Sequence, residues 1–155
     1  ILWHFIGPIQ SNKTQLIAQH FDWVHSVDRL KIAQRLNDAR ANNYSPLKVC
    51  VQINISNEAS KSGILVADLQ ATAAAIAKLP HLQLRGLMAI PAPSQDLSVQ
   101  RQQFKQVRQC YDNLLALGYQ LDTLSIGMSD DYAVAIEQGA TIVRIGSALF
   151  GARPQ

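Results

Sequence analysis

The sequence predicts an α/β fold: a (β/α)8 barrel of the TIM type, incomplete at its N-terminal end. Three observations carry that prediction. Short β-branched runs alternate with helix-period stretches six times along 155 residues, the pattern of parallel βα units. No G-x-G-x-x-G follows a strand, and polar residues stand at several strand ends (His4, Asn54, Arg144) as if facing one shared mouth; both favour a barrel over an open doubly wound sheet. A complete barrel needs about 250 residues, or somewhat over 200 at the low end. Six units beginning at Ile1, already in a strand, therefore point to a missing opening stretch, with residues 1–155 a single domain forming the C-terminal two-thirds of the barrel.

Taken in order, residues 3–6 read as a strand ended by Gly7-Pro8. Ser11 is placed as the cap of a helix reaching about His20, with Leu16 and Ile17 on its buried side. Residues 23–27 form the next strand, and Asp28 caps a helix carrying Leu30, Ile32, Ala33, Leu36 and Ala39. Residues 42–46 are a loop. Residues 47–55 are a long strand, β-branched at Val49, Val51, Ile53 and Ile55, with Gln52 and Asn54 on its other face. Residues 56–63 are a polar loop, followed by a helix from about Val66 to Lys78 that Pro80 stops. Residues 84–90 are a strand and Pro91-Ala92-Pro93 a stiff turn. The helix from about Leu97 to Leu117 sets Phe104, Val107, Tyr111 and Leu114 on one stripe, and Gly118 ends it. Residues 124–126 are a strand, Gly127-Met128 a turn, and Ser129 the cap of a short helix with Asp130 and Asp131 in its first turn. The last strand, around Ile142, Val143 and Ile145, is interrupted by Arg144, a residue costly to bury unless acceptors wait for it.

The composition narrows the function classes. The net charge is only +3, and no basic block interleaved with aromatics appears, which argues against nucleic acid as a partner. No apolar run approaches the roughly 20 residues that cross a membrane, and no signal peptide is visible, so a cytoplasmic setting is expected. Cys50 and Cys110 have no metal-ligand spacing and read as core thiols; His4, His20, His25 and His81 likewise show no ligand spacing and read as surface or packing residues.

The chemistry concentrates at the last two strand ends. In a βα barrel the working groups sit at C-terminal strand ends, and a phosphate site is commonly built after the final two strands. Here those ends are residues 125–129 and 144–147, each delivering a Gly, a Ser and a helix N-terminus, a paired cradle for a phosphate dianion. The same residues also suit an ordinary N-cap, a tight turn and an arginine that reaches solvent.

The segments 3–13, 52–54, 61–63, 85–91, 127–131 and 143–153 closely resemble, in order, the pyridoxal 5′-phosphate homeostasis protein family, which is related to the N-terminal barrel of alanine racemase. The resemblance implies an alanine-racemase N-terminal-domain-like barrel that holds pyridoxal 5′-phosphate in its mouth and serves intracellular vitamin B6 and amino-acid homeostasis, as a monomer, without catalysis. It implies that Arg144 faces the pyridine nitrogen and that Ser129, Gly146 and Ser147 hold the phosphate, with Ile145 beside them. It also implies that Met88 and His4 line the cavity, although an inward Met or His is equally ordinary core packing.

Two departures are expected to matter. The family's cofactor-bearing lysine lies on its first strand, upstream of the segment matching Ile1, and none of Lys13, Lys31, Lys48, Lys61, Lys78 or Lys105 takes that place. Where the alanine racemase barrel has a histidine two residues after the Met of its Gly-x-Met strand, this chain has Ile90, and no second proton-transfer group is evident. An amino-acid racemase is therefore the alternative reading, and a barrel for another phosphate ligand, such as a sugar phosphate, a third.

Overall fold

The computed structural model describes residues 1–40, 44–56 and 61–151. Seven strands and six helices follow in chain order: β1 (His4–Phe5), α1 (Thr14–His20), β2 (Trp23–Val27), α2 (Leu30–Ala39), β3 (Leu47–Asn54), β4 (Ile64–Leu65), α3 (Leu69–Ala77), β5 (Leu82–Met88), α4 (Leu97–Ala116), β6 (Thr123–Met128), α5 (Tyr132–Glu137), β7 (Ile142–Arg144) and α6 (Ser147–Phe150). The main sheet runs β1-β2-β3-β5-β6-β7, and every pairing is parallel. The order follows the chain without reversal, so the doubly wound alternative, whose order must reverse at a switch point, is excluded.

The sheet is curled. Three strand spacings of a flat sheet cover about 14 Å, yet His25 on β2 lies 2.7 Å from the Ser125 hydroxyl on β6, and the Arg85 guanidinium on β5 sits 5.0 Å from the Trp23 ring centre on β2. Contacts of that kind form only across the concave side. The described strands thus make an arc of a (β/α)8 barrel.

Period-two alternation sorts the side chains. On β3, Val49, Val51 and Ile53 point outward into the main core under the helices, while Cys50 points inward and packs with Trp23 and Met88. On β5 the outward set passes from Leu82 and Leu84 to Leu87, a change of parity at the register shift near Gly86. Gly86 is required there: a β-carbon on it would stand 1.6 Å from the Thr123 carbonyl oxygen of β6. The helices close the outer layer through Ile32, Ala33 and Leu36 of α2, Ala73 and Ile76 of α3, and Phe104, Val107, Tyr111 and Leu114 of α4, the stripe expected from its spacing.

Several local expectations are corrected. Ser11 opens a short 3-10 turn over Ser11–Lys13 and caps nothing with its side chain; its carbonyl accepts from Thr14 Oγ1 instead. Leu16 is exposed, because α1 buries the face that carries Thr14, Ile17 and Ala18. Asp28 does not cap α2; it pairs with Arg29 at 2.8 Å. Conversely, Asp96 caps α4, accepting from Ser98 N at 2.7 Å. The strand expected over 84–90 begins at Leu82 and ends at Met88, and that expected over 124–126 extends to Thr123–Met128. β4, a two-residue strand directly after Gly63, is an addition that pairs with the C-terminal end of β3. The loops expected at 42–46 and 56–63 lie partly outside the described residues.

Candidate functional site

Because all main strands run the same way, their C-terminal ends share one rim, and the polar residues that interrupt their apolar pattern gather there. Gln52 and Asn54, buried at the top of β3, donate to the carbonyl oxygens of Ser62 and Lys61 and tie the following loop to the strand. On the opposite side of the arc, the rim is built by β5, β6 and β7.

Arg144 is the centre of that side. Its Nη1 donates to both the carbonyl oxygen and the hydroxyl oxygen of Ser125, each at 2.7 Å, and its Nη2 donates to the Ala89 carbonyl at 3.0 Å. The acceptors a buried guanidinium needs are therefore present. Burial lowers its pKa from the ordinary arginine value, partly countered by the Asp131 carboxylate. A guanidinium has five N–H donors. Three are taken by these bonds, which leaves Nε–H and one Nη2 proton for a ligand. Arg144 opens onto a cavity of about 130 Å³ lined also by Ala89, Pro91, Gly127, Met128 and Asp131. Gln100 of α4 lines the same space; its Nε2 donates to the Ser94 carbonyl, while its Oε1 is buried with no hydrogen-bond partner.

Ser129 is placed differently from the expected cap. α5 starts at Tyr132, and Asp131, in the N-cap position, accepts from Met128 N at 2.7 Å. The Ser129 hydroxyl reaches instead to the next unit, accepting from Gly146 N at 3.3 Å and Ala148 N at 3.2 Å at the start of α6. What looked like two cradles side by side is one joined cradle: backbone N–H groups from the β7–α6 turn converge on an oxygen supplied by the β6–α5 turn. Gly127 makes this possible. Its φ of +93° turns the chain at the end of β6, and a β-carbon there would lie 2.6 Å from that of Ala135. The space where a Gly146 side chain would stand is open. Gly146 and Ser147 are exposed at this rim, and Ile145 is half-buried between them and Arg144.

His4 and Met88 sit deeper, on the concave face. Met88 is fully buried against Trp23 and Cys50. His4 is half-buried, with its ring stacked on Trp23 at 5.2 Å between centroids and its Nδ1 2.9 Å from His25 Nε2. His25 Nδ1 is in turn 2.7 Å from Ser125 Oγ. Desolvation, with the charges of His4 and Arg144 adding to it, pushes the His25 pKa down to about 4, so the ring is neutral at neutral pH.

His25 and Ser125 are the residues that sequence reasoning missed. The signal was present: both fall at inward parity on their strands, His25 two positions after Trp23 and Ser125 between the outward Leu124 and Ile126. Among the described residues, no group of three or more His, Cys, Asp or Glu side chains is placed to hold a metal ion.

A family model for the alanine racemase N-terminal domain matches residues 2–154. The pyridoxal phosphate homeostasis protein of Pseudomonas aeruginosa is 61% identical over 151 residues, and that of Escherichia coli K12 is 56% identical over 151; each alignment covers 97% of this chain and 64% of the relative. The chain belongs to the alanine racemase N-terminal domain family. It spans just under two-thirds of the length of these curated relatives. The structure of PipY from Synechococcus elongatus, solved with pyridoxal phosphate bound, superposes with a TM-score of 0.88 at 35% identity, covering 97% of this chain and 71% of PipY. The alanine racemase N-terminal fold is thus shared by this chain, and its β5–β7 rim is the part of it described above. No helix among the described residues is long and apolar enough to cross a membrane.

Proposed function

We propose that this chain forms the part of a pyridoxal 5′-phosphate-holding barrel that grips the cofactor's phosphate and ring nitrogen, in a protein that serves vitamin B6 and amino-acid homeostasis in the cytoplasm and is not a racemase. The observation that carries the reading is the joined cradle of Ser129, Gly146 and Ala148 beside a guanidinium with two uncommitted N–H donors. The residues suit a phosphate monoester attached to a pyridine ring. The Gly146 and Ala148 N–H groups would hold a phosphate oxygen in place of, or beside, Ser129, whose own hydroxyl proton could donate to it. Ser147 adds a second hydroxyl at the same helix start, and Ile145 offers an apolar edge between the phosphate and Arg144.

Arg144 supports the homeostasis reading on chemical grounds. Pyridoxal phosphate, when bound, supplies an electron sink for reactions at amino-acid carbons. A permanently protonated guanidinium opposite the ring nitrogen donates a hydrogen bond without surrendering a proton, keeps that nitrogen unprotonated, and so damps the sink. The names carried by the relatives point the same way. The proposed protein is a monomer whose small-molecule partner is the cofactor.

The test is an absorbance titration of the intact protein with pyridoxal 5′-phosphate, followed by borohydride reduction and mass mapping of the modified lysine. Saturable uptake with a new band near the violet, trapped by borohydride on a lysine, supports the reading. A protein that takes up no cofactor refutes it and favours a sugar-phosphate ligand. Exchange of the α-hydrogen of free amino acids for solvent deuterium, at a rate typical of an enzyme, would instead establish the racemase alternative.

A further inference from the structure

Four polar side chains on the concave face form an unbroken line across the barrel interior. His4 on β1 meets His25 on β2 at 2.9 Å, His25 meets Ser125 on β6 at 2.7 Å, and Ser125 accepts from Arg144 on β7 at 2.7 Å. His25 and Ser125 are each fully enclosed, at 0% exposure, so no bulk water corrects an unfavourable proton arrangement.

The proton order along this line is decided by Arg144. Arginine can only donate, so one lone pair of Ser125 Oγ is occupied by the guanidinium. If His25 carried its proton on Nδ1 and donated it to Ser125, the hydroxyl would accept twice and its own proton would lie buried with no acceptor among the described residues. That arrangement would also place an N–H dipole head-on toward the Arg144 charge. In the opposite order every group is satisfied: Ser125 donates to His25 Nδ1, His25 donates from Nε2 to His4 Nδ1, and His4 keeps its proton on Nε2.

We propose that His25 is the positioning residue for Arg144: by accepting the Ser125 hydroxyl proton it holds the Ser125 lone pair toward the guanidinium, and it fixes both histidines as Nε2–H tautomers. The guanidinium is then clamped in one plane by Ser125 and the Ala89 carbonyl, and its two remaining N–H donors keep one direction. Without the His25 acceptor, the Ser125 hydroxyl is free to rotate and turn its proton against Arg144. The charged and titratable groups facing the line are few. Arg144 and His4 face His25, Asp22 and Lys48 face His4, and Asp131 and Cys50 face Arg144. The link from Arg144 to cofactor affinity rests on the reading in the preceding section; the proton order does not.

The first measurement is a long-range proton–nitrogen correlation spectrum of the uniformly nitrogen-15-labelled intact protein at neutral pH, without cofactor. Protonated Nε2 and unprotonated Nδ1 on both His25 and His4 are expected; a protonated Nδ1 on His25 overturns the proposal. The second is the pyridoxal 5′-phosphate titration repeated on two variants. His25→Asn places an amide oxygen near the Nδ1 position and keeps an acceptor for Ser125, whereas His25→Leu removes it. Affinity within about twofold of the parent for H25N and at least about fivefold weaker for H25L supports the positioning role. Equal affinity in both variants, both folded by circular dichroism, overturns it. If the parent protein takes up no cofactor while both rings show the expected tautomers, the functional reading fails and the proton order stands.

Discussion

Replacing Arg144 by Met keeps the aliphatic stem and removes the charge and all five donors, and the hydrogen bonds of the parent side chain set the size of each consequence. Three bonds are lost, but the acceptors are not equally affected. The Ser125 carbonyl still receives Ala89 N at 3.3 Å, and the Ser125 hydroxyl still has His25. The Ala89 carbonyl loses its donor on a residue at 0% exposure, although the neighbouring cavity of about 130 Å³ has room for water to replace it. One under-satisfied buried acceptor costs about 1–3 kcal/mol. Taking about 2 kcal/mol for a domain of this size, Tm should fall by about 4–8 °C, with a cooperative transition retained. Cofactor affinity should fall by a comparable amount. A hydrogen bond from a charged donor contributes about 1.5–3 kcal/mol, or roughly 10- to 150-fold in Kd. The assay pairs thermal unfolding in the absence of ligand with an absorbance titration well below the new Tm, so that lost binding is not confused with unfolding. An unchanged Kd and an unchanged spectrum of the bound cofactor, in a folded variant, would refute the role assigned to Arg144.

Ser129→Ala removes the oxygen on which Gly146 N and Ala148 N converge, and should weaken affinity for the phosphate moiety by about 1–2 kcal/mol, measured by competition with inorganic phosphate; no change would break the joined-cradle argument. Gly127→Ala forces a φ of +93° on a residue with a side chain and drives its β-carbon to 2.6 Å from that of Ala135, so urea unfolding should show a loss of more than about 2 kcal/mol. A loss below half that value would mean the turn relaxes freely. His25 gives a pH signature. Its folded-state pKa is depressed to about 4 from 6.5, so the unfolded chain binds more protons between those values. The stability it contributes is present above about pH 6.5 and is lost as pH falls toward 4, by on the order of 3 kcal/mol. In H25N that part of the slope should vanish, leaving the contribution of His4, whose pKa burial also lowers, and the carboxylate-driven fall at lower pH; an identical slope in parent and variant would show that His25 does not titrate in this window.

How much of this was legible beforehand depended on whether the signal was local or carried by distant parts of the chain. The alternation of strands and helices, the buried stripe of α4, the polar inward face of β3 and the need of Arg144 for acceptors could be read in the sequence, because periodicity and the cost of burying a charge are properties of a few consecutive residues. Capping was read poorly. Asp28, Ser11 and Ser129 each had the right side chain before a helix; Asp28 met Arg29 instead, Ser129 met the amides of a turn 17 and 19 residues away, and Ser11 falls within a 3-10 turn that precedes α1. Parity was also obscured at register shifts such as the one near Gly86, where a single residue changes which side chains face inward.

The sequence by itself determined the parallel βα order and which residues stand at the C-terminal ends of the last two strands. Only the tertiary structure decided which of them act together. Curling the sheet brings β2 against β6 across the concave face, and that curvature turns two histidines that looked like surface or packing residues, and a serine not singled out, into the support of Arg144. Local pattern fixes the direction in which a side chain points; the partner it finds 100 residues away depends on how tightly the sheet bends.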